Sequence, residues 1–305
     1  MQNQSDMSIL CWGEVLWDVA ENERESLAGA PLNVAVGLMR LGDGAVMLSA
    51  VGADDRGQRA VRQLRAYGCN AQFVRQIPGR PTGIAKITMD ANGHPSFTIA
   101  RPAAFDFLRL EPEDWDAIAA LHPQWLYFGT LAQVSDPNAA LLPRLAQQFP
   151  GISRFYDLNL RAGHWNFPLI QQLARLATVC KLNEQEAREL FTLTTSEPFS
   201  LPRFCRAWAR TYDIPMICVT LGGAGCAVYT QDSLQYFPGF PLEASDPVGA
   251  GDACSAGFLH GMLHGWPLEQ TAALANALGA IVASRDSAIP AWRAEEAQAL
   301  IQARP

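Results

Sequence analysis

The sequence predicts an α/β fold in which a mostly parallel sheet is covered by helices on both faces. One observation leads to this prediction, and a second marks an exception to it. Several short apolar runs end in glycine or polar turns, and each is followed by a segment with helical periodicity. Residues 82–101 depart from this rhythm, because apolar and polar residues alternate there around Asp90-Ala91-Asn92-Gly93. Such alternation about a turn is typical of an antiparallel hairpin.

The predicted strands are short and almost wholly apolar, as expected for strands that are buried on both faces. They are SILCWGEV, AVMLSAVG, WLYFGTL, RFYDLNL, ATVCKLN and MICVTLGG. Amphipathic helices are predicted between them, at residues 31–41, 55–67, 137–148 and 183–191. The alanine-rich chain from residue 246 onwards predicts further helices. No repeat or long linker interrupts the pattern, so residues 1–305 are interpreted as a single domain.

Composition limits the class of protein. The chain has 305 residues and a net charge of -7, and such an acidic balance argues against a general binder of nucleic acid or membrane surfaces, which needs a basic face. The seven cysteines are scattered without a C-x-x-C pair, which disfavours a disulfide framework. Neither a signal pattern nor a long apolar stretch is present, so we expect a cytoplasmic protein.

The strongest local feature is the segment DPVGAGDACSAGF at residues 246–258. A glycine-containing turn leads directly into a predicted helix at 253–263, so that several backbone amides converge at a positive helix end. This arrangement predicts an anion hole. Asp252 at its mouth would repel phosphate, but it could act as a base toward an attacking hydroxyl. The alternative is an aspartate that only caps the helix.

Three further segments place polar groups where predicted strands end. Residues 219–225, VTLGGAG, run into a glycine turn that can approach phosphates, although neither the G-x-G-x-x-G spacing nor a Walker motif is present. In KLNEQE, Asn183 and Glu186 fit a capping box, and Glu186 could also hold hydrated Mg²⁺. In DLNLR at 157–161, alternating polar residues point to the side where ligands bind in open α/β sheets, unless they form a salt-bridged strand end.

In this order and spacing, the four segments resemble the ribokinase and phosphofructokinase-B family of carbohydrate kinases. The amino-terminal part fits as well, through Gly13-Glu14 with Asp18, Gly29-Ala30-Pro31 with Asn33, and Val51-Gly52-Ala53-Asp54 with Gly57. The resemblance covers nearly the whole chain and implies an ATP-dependent sugar kinase with a ribokinase-like three-layer α/β/α fold. It also implies a small β-sheet lid, formed by about residues 12–33 and 81–103.

The resemblance further implies a role for individual residues. Asp252 is similar to the catalytic base, and the amides of Gly249, Ala250 and Gly251 are similar to the anion hole. The sugar-binding positions are Asp18, Gly29 and Asn33, and the nucleotide and Mg²⁺ positions are Asn183, Glu186, Thr220, Gly222, Gly223, Gly225 and Asn276. A K⁺ site would be surrounded by Asp246, Val248, Val282, Arg285 and Ser287.

The segment GEVLWD at 13–18 is most similar to fructokinases, so we expect fructose as the substrate, with ATP and Mg²⁺. Arg101 and Arg161 could instead clamp a carboxylate, which keeps 2-keto-3-deoxygluconate as an alternative, along with other small sugars and nucleosides. A sugar or nucleotide sensor without turnover is an alternative of a different class. A homodimer paired through the lid sheet is a further expectation.

His260 and His264 lie four residues apart on one predicted helix, a spacing that can bind zinc. Gly261 stands where the metalloprotease motif requires glutamate, and the sequence shows no third ligand. We therefore interpret both histidines as helix-surface or helix-packing residues.

Overall fold

A computed structural model describes residues 8–89, 95–243, 245 and 247–303. The strands, in chain order, are β1 (Ser8–Trp12), β2 (Leu16–Val19), β3 (Glu25–Ala28), β4 (Gly44–Gly52), β5 (Asn70–Ile77), β6 (Gly83–Met89), β7 (Pro95–Ile99), β8 (Trp125–Gly129), β9 (Ser153–Asp157), β10 (Val179–Asn183), β11 (Met216–Thr220), β12 (Gly225–Thr230) and β13 (Ser233–Pro238). Nine of them form one sheet in the order β13-β12-β11-β10-β9-β8-β1-β4-β5. From β11 to β5 neighbouring strands are parallel, whereas β12 and β13 are antiparallel at one edge.

Helices cover both faces of this sheet. They are α1 (Ala30–Leu41), α2 (Asp55–Ala66), α3 (Pro112–Ala120), α4 (Asp136–Gln148), α5 (Phe167–Ala174), α6 (Glu184–Thr192), α7 (Leu201–Tyr212), α8 (Ala250–Leu263), α9 (Leu268–Ala283) and α10 (Ala294–Gln302). Along β1, Leu10 and Trp12 belong to the core on one face, while Ile9 and Cys11 belong to the core on the other. The predicted three-layer fold is thereby confirmed.

The antiparallel pair β12 and β13 was not predicted from the sequence. Its turn is formed by Gln231 and Asp232, whose φ angles are 51° and 59°. Two-residue hairpin turns with positive φ usually carry Asn-Gly or Asp-Gly, so Gln-Asp gives no recognisable turn signal. The glycine turn before β12 was consequently interpreted only as a phosphate-binding loop.

A second, four-stranded sheet has the order β3-β2-β6-β7. The pair β6 and β7 is the hairpin expected at 82–101, with Ala85 opposite Ile99. The expected turn at 90–93 lies outside the described residues. These strands fall within the ranges 12–33 and 81–103, and Leu16, Ala28, Ala85 and Ile99 pack together in a small core of their own. That the sheet acts as a lid stays a prediction.

Two general expectations can be compared with the structure. All seven cysteines are buried and none forms a disulfide. Within the described ranges, the helices are too short or too polar for any of them to cross a lipid bilayer.

Helices α1 and α8 pack closely along their length. At their first turns, the side chain of Asn33 donates a hydrogen bond of 2.7 Å to Asp252. Further along, a Cβ placed on Gly37 would lie only 2.6 Å from the Cβ of Ala256. Glycine at position 37 therefore allows an approach that any larger residue would prevent.

We predict that Gly37→Ala lowers the free energy of unfolding by about 1–3 kcal/mol, because the new Cβ pushes α1 away from α8. This loss should exceed the gain of about 1 kcal/mol in helix propensity that alanine brings. Chemical denaturation measures the difference. Gly151→Ala is the control, since a Cβ at that position meets no atom within 4 Å. Equal stability of the two variants would contradict the close packing.

Candidate active site

A cavity of about 600 Å³ lies where β9, β10 and β11 end, next to the first turn of α8 and the small sheet. Ligands usually bind at the carboxyl ends of parallel strands in such folds. The predicted site residues that line the cavity are Asp18, Gly29, Asn33, Arg161, Asn183, Glu186, Thr220, Gly222, Gly223, Gly225, Val248, Gly249, Ala250, Gly251, Asp252 and Asn276. Residues that are as far apart in sequence as Asp18 and Asn276 thus share one site.

Asp252 lies in the first turn of α8 and is only 8% exposed. Its Oδ2 accepts the hydrogen bond from Asn33. Burial, followed by the negative charge of Asp157, raises the pKa of Asp252 to about 6, although Lys181 and Asn33 act in the opposite direction. A carboxylate with a raised pKa accepts a proton more readily than an exposed aspartate does.

The turn before α8 depends on Gly249, which has a φ of 82°. A Cβ at this position would lie 2.4 Å from the carbonyl oxygen of Ala288, so only glycine fits. The amide of Ala250 donates to the carbonyl of Pro247 at 3.2 Å and thereby closes the turn. At helix starts the first backbone amides lack acceptors within the helix, and the amide of Gly251 occupies such a position.

A buried ion pair contacts this turn. The Nζ of Lys181 lies 3.0 Å from Oδ2 of Asp157 and donates to the carbonyl oxygen of Gly251 at 3.1 Å. Ser255 donates to the same Asp157 oxygen at 2.7 Å. Burial alone would lower the pKa of Lys181, but the nearby carboxylates, Asp157 first, outweigh it and raise the pKa above its usual value. The lysine therefore stays charged and fixes the position of Gly251.

Sequence analysis assigned no role to Lys181, although a signal was present. The residue interrupts an otherwise apolar strand, and Asp157 occupies the matching position of the neighbouring strand β9. A lone charge in a buried strand requires a partner. The partner could be named only once the register of β9 and β10 was known.

Glu14 is a second cavity residue to which the sequence analysis gave no role. Its Oε1 accepts a hydrogen bond of 3.2 Å from the amide of Ala30. Burial raises the pKa of Glu14 to about 7, although its own backbone amide and Arg161 act in the opposite direction. The backbone carbonyl of Glu14 also explains Gly29, because a Cβ there would lie 2.3 Å from that oxygen.

Asn183 and Glu186 form the predicted capping box at the start of α6. The side chain of Asn183 accepts from the Glu186 amide at 2.8 Å, and Oε2 of Glu186 accepts from the Asn183 amide at 2.8 Å. Oε1 of Glu186 accepts from the amide of Leu160 at 2.7 Å. Burial raises the pKa of Glu186. The capping interpretation is confirmed, and both residues also line the cavity.

Asn276 lines the cavity from α9. Its Nδ2 donates to the carbonyl oxygens of Phe237 and Pro238, at 3.0 Å each, and so ties α9 to β13. Gly225, at the start of β12, has a φ of 101°, and a Cβ there would lie 2.2 Å from the Phe237 oxygen. The glycine turn after β11 is therefore held close to the cavity by backbone contacts.

Arg101 does not line the cavity, in contrast to our expectation for a substrate ligand. Its guanidinium forms a buried ion pair with Asp106 and donates to the carbonyl oxygen of Leu131 at 2.8 Å. Arg161 does line the cavity. The expected pair of arginines is therefore reduced to Arg161, because Arg101 is engaged within the protein.

The residues of the expected K⁺ site are only partly gathered. Val248 lines the main cavity, and Val282 lines a small cavity beside Gly249. Arg285 is ion-paired with Glu296, while Ser287 accepts a hydrogen bond from the amide of Ile289. Asp246 lies outside the described residues. The K⁺ site stays a prediction.

Known proteins are similar to this chain over most of its length. Residues 8–295 match the pfkB family of carbohydrate kinases. The fructokinase of Escherichia coli is 31% identical over 242 residues, which cover 77% of this chain and 76% of that protein. The fructokinase of Vibrio cholerae O395, solved with fructose, ADP and calcium, has a TM-score of 0.83 at 24% identity and covers 97% of this chain and 99% of its own. The 2-dehydro-3-deoxygluconokinase of Thermotoga maritima also has a TM-score of 0.83, at 19% identity and with coverage of 97% and 98%.

The chain belongs to the pfkB family of carbohydrate kinases. It is accordingly an ATP-dependent sugar kinase, as the sequence resemblance implied. These two structural similarities show only the fold. The TM-score is 0.83 for the fructokinase and 0.83 for the deoxygluconokinase. Similarity of fold therefore does not discriminate between fructose and 2-keto-3-deoxygluconate as the substrate.

We predict that Lys181→Met lowers the free energy of unfolding by about 3–5 kcal/mol, because it leaves the charge of Asp157 buried without its partner. The double variant Lys181→Met with Asp157→Asn should lose less than the sum of the two single variants. Chemical denaturation at pH 7 completes the double-mutant cycle. Strictly additive losses would show that the ion pair does not couple these residues.

Proposed function

We propose that this protein transfers the γ-phosphoryl group of ATP to a hydroxyl group of fructose, with Asp252 as the general base. The observation that carries the proposal is the position of Asp252, which is buried at the start of α8 inside the cavity. Within the described residues, only its Oδ2 is engaged, by Asn33. Oδ1 is therefore available to a substrate hydroxyl.

In the proposed reaction, the sugar hydroxyl oxygen attacks the γ-phosphorus in line and its proton passes to the Asp252 carboxylate. The new O–P bond forms as the bond between the γ-phosphorus and the β,γ-bridging oxygen breaks, and ADP leaves. The amides of Gly249, Ala250 and Gly251 are proposed to stabilise the negative charge that develops on the phosphoryl oxygens. In the structure, the Ala250 amide is shared with Pro247, so Gly251 is the stronger candidate of these donors.

A polyhydroxylated substrate suits the polar atoms at the sugar end. The Oδ1 of Asn33 is buried and has no hydrogen-bond partner among the residues that the structure describes. A buried acceptor without a partner is unusual in folded proteins, and a sugar hydroxyl would satisfy it. Asp18 and Glu14 also line the cavity and are proposed to accept hydrogen bonds from further hydroxyls. Gly29 supports this end through its close contact with Glu14.

The nucleotide is proposed to bind along Thr220, Gly222, Gly223 and Gly225, with the base near Asn276. Glu186 fits a Mg²⁺ site through water rather than by direct ligation, since each of its oxygens already accepts one backbone amide. When bound, Mg²⁺ neutralises phosphate charge. Asn183 holds Glu186 in place through the capping box.

Fructose is preferred to 2-keto-3-deoxygluconate for two reasons. The bacterial relative that is 31% identical is a fructokinase. In addition, the carboxylate of the alternative substrate would have to be bound by Arg161 without Arg101, which is paired with Asp106. The intact Asp252 and its turn also favour an enzyme over a sensor. A homodimer stays a proposal, for which β3 and β7 are the edge strands of the small sheet.

The first test is ADP release with ATP, Mg²⁺ and a panel of fructose, ribose, 2-keto-3-deoxygluconate and nucleosides. We expect turnover with fructose, and a decrease in kcat of about a hundredfold to a thousandfold or more in Asp252→Asn, because the base is lost. Asp116→Asn, an exposed aspartate on α3, is the control and should retain activity. Unchanged turnover in Asp252→Asn would exclude the proposed base. Higher kcat/KM with another sugar would overturn fructose alone.

The raised pKa of Asp252 predicts a pH dependence of activity. Below pH about 6 the base becomes protonated, so kcat/KM should fall about tenfold per pH unit. The pKa of Glu14 is about 7, so protonation of Glu14 is the alternative cause of this loss of activity at low pH, the acidic limb of the pH profile. The variant Glu14→Gln shows which of the two carboxyl groups controls that limb. The limb should persist in that variant. Its disappearance would assign the proton to Glu14 instead.

The same shift makes an independent prediction about stability. Because the folded pKa of Asp252 is raised, the charged side chain destabilises the protein at high pH, by up to about 3 kcal/mol. Asp252→Asn should therefore raise the free energy of unfolding at pH 8. The gain should shrink as the pH falls below 6 and vanish only below the unfolded pKa of 3.8, where the carboxyl is neutral in both states. A gain independent of pH would contradict the assigned cause.

A further inference from the structure

A compact polar cluster joins the far ends of α1 and α8. Asp43 follows the C-terminal cap of α1, His260 lies in the last turn of α8 and His264 caps that helix. Nδ1 of His260 lies 2.8 Å from one carboxylate oxygen of Asp43, and Nε2 of His264 lies 2.8 Å from the other. We call these three residues the His-Asp cluster.

Asp43 provides the third ligand that the sequence did not reveal, because it is more than two hundred residues away along the chain. One ligand atom from each of the three residues lies within 4.8 Å of the others. Two imidazoles and one carboxylate are a ligand set that suits Zn²⁺. Ligand atoms around a tetrahedral zinc ion lie roughly 3.3 Å apart, so small side-chain rotations would be enough to admit the ion.

The negative charge of Asp43 also favours the binding of a cation at this position. The Asp43 side chain is only 3% exposed, and within the described part of the chain its carboxylate forms ion pairs only with the two imidazoles. A buried carboxylate requires positive charge close to it. Both α1 and α8 end here, and the negative ends of their dipoles add to the need for positive charge.

We propose that the His-Asp cluster binds a divalent transition-metal ion, with Zn²⁺ favoured by its ligands and water in the fourth position. His264 is 29% exposed and His260 is 12% exposed, so the site can be reached from solvent. On binding, each imidazole presents a lone pair on the nitrogen that now faces Asp43. The proton on that nitrogen moves to the other ring nitrogen or to solvent.

The site is structural, because it lies at the opposite end of α8 from Asp252. The twelve residue steps from Asp252 to His264 correspond to about 18 Å of helix. At one end of the helix pair, Asn33 bonds Asp252, and at the other end the metal would hold Asp43 to both histidines. Metal binding is therefore expected to stabilise the pairing of α1 with α8 without taking part in phosphoryl transfer.

The test uses the full chain, freed of metal with a chelator and titrated with Zn²⁺ by calorimetry in the absence of nucleotide. We expect saturation at about one ion per chain and a rise in Tm, because the ion binds only the folded state. Co²⁺ bound at the same site should give visible absorption bands that Zn²⁺ displaces. Asp43→Asn and His264→Gln should each weaken binding by at least about tenfold.

His122→Asn is the matched control, because His122 lies after α3 and its φ of 45° suits asparagine. It should bind Zn²⁺ as the unaltered protein does. If Asp43→Asn fails to fold, the partly exposed His264 carries the test alone. Absence of saturable binding, or unchanged affinity in His264→Gln, would overturn the proposal and leave a hydrogen-bonded cluster without metal. Neither result depends on which sugar is phosphorylated.

Discussion

The ion pair of Lys181 and Asp157 is the constraint on which the site depends. It is buried beneath the turn that starts α8, and Lys181 extends the contact to the carbonyl of Gly251. A charged group buried in this way has few alternative positions, since each would leave a charge without a partner. The pair therefore fixes the turn relative to the ends of β9 and β10. The amides proposed to bind phosphate and the carboxylate of Asp252 are fixed with it.

The packing of α1 against α8 positions the residues on the other side of the site. Gly37 lets the two helices approach, and Asn33 on α1 contacts Asp252 on α8. The His-Asp cluster closes the opposite end of the same pair. Rigid elements that are joined at both ends hold side chains more precisely than loops do. The sugar end of the cavity is thus built on two helices whose relative position is defined by packing.

The carboxyl groups that line the cavity differ in their electrostatic surroundings. Asp252 and Glu14 are buried with limited compensation, and their pKa values are raised to about 6 and about 7. Asp157 is paired with Lys181 and receives a hydrogen bond from Ser255. Strongly perturbed groups inside a cleft are typical of functional sites. The charged side chain of Asp252 makes the folded protein less stable than a neutral side chain would. This loss of stability is consistent with the proposed role of Asp252 as a base.

The amino-acid pattern alone was sufficient for the α/β layers and for the glycine turn and helix around Asp252, although that helix begins at Ala250, three residues before its predicted start. These features follow from local physics, because strand burial, capping and glycine turns are encoded within a few neighbouring residues. It was not sufficient for β12 and β13, whose Gln-Asp turn lacks the usual signal. Nor could it pair Lys181 with Asp157, withdraw Arg101 from the cavity into its ion pair with Asp106, or bring Asp43 to the two histidines. Only the tertiary structure decides such contacts, because they join residues on different elements whose register and approach are set by packing.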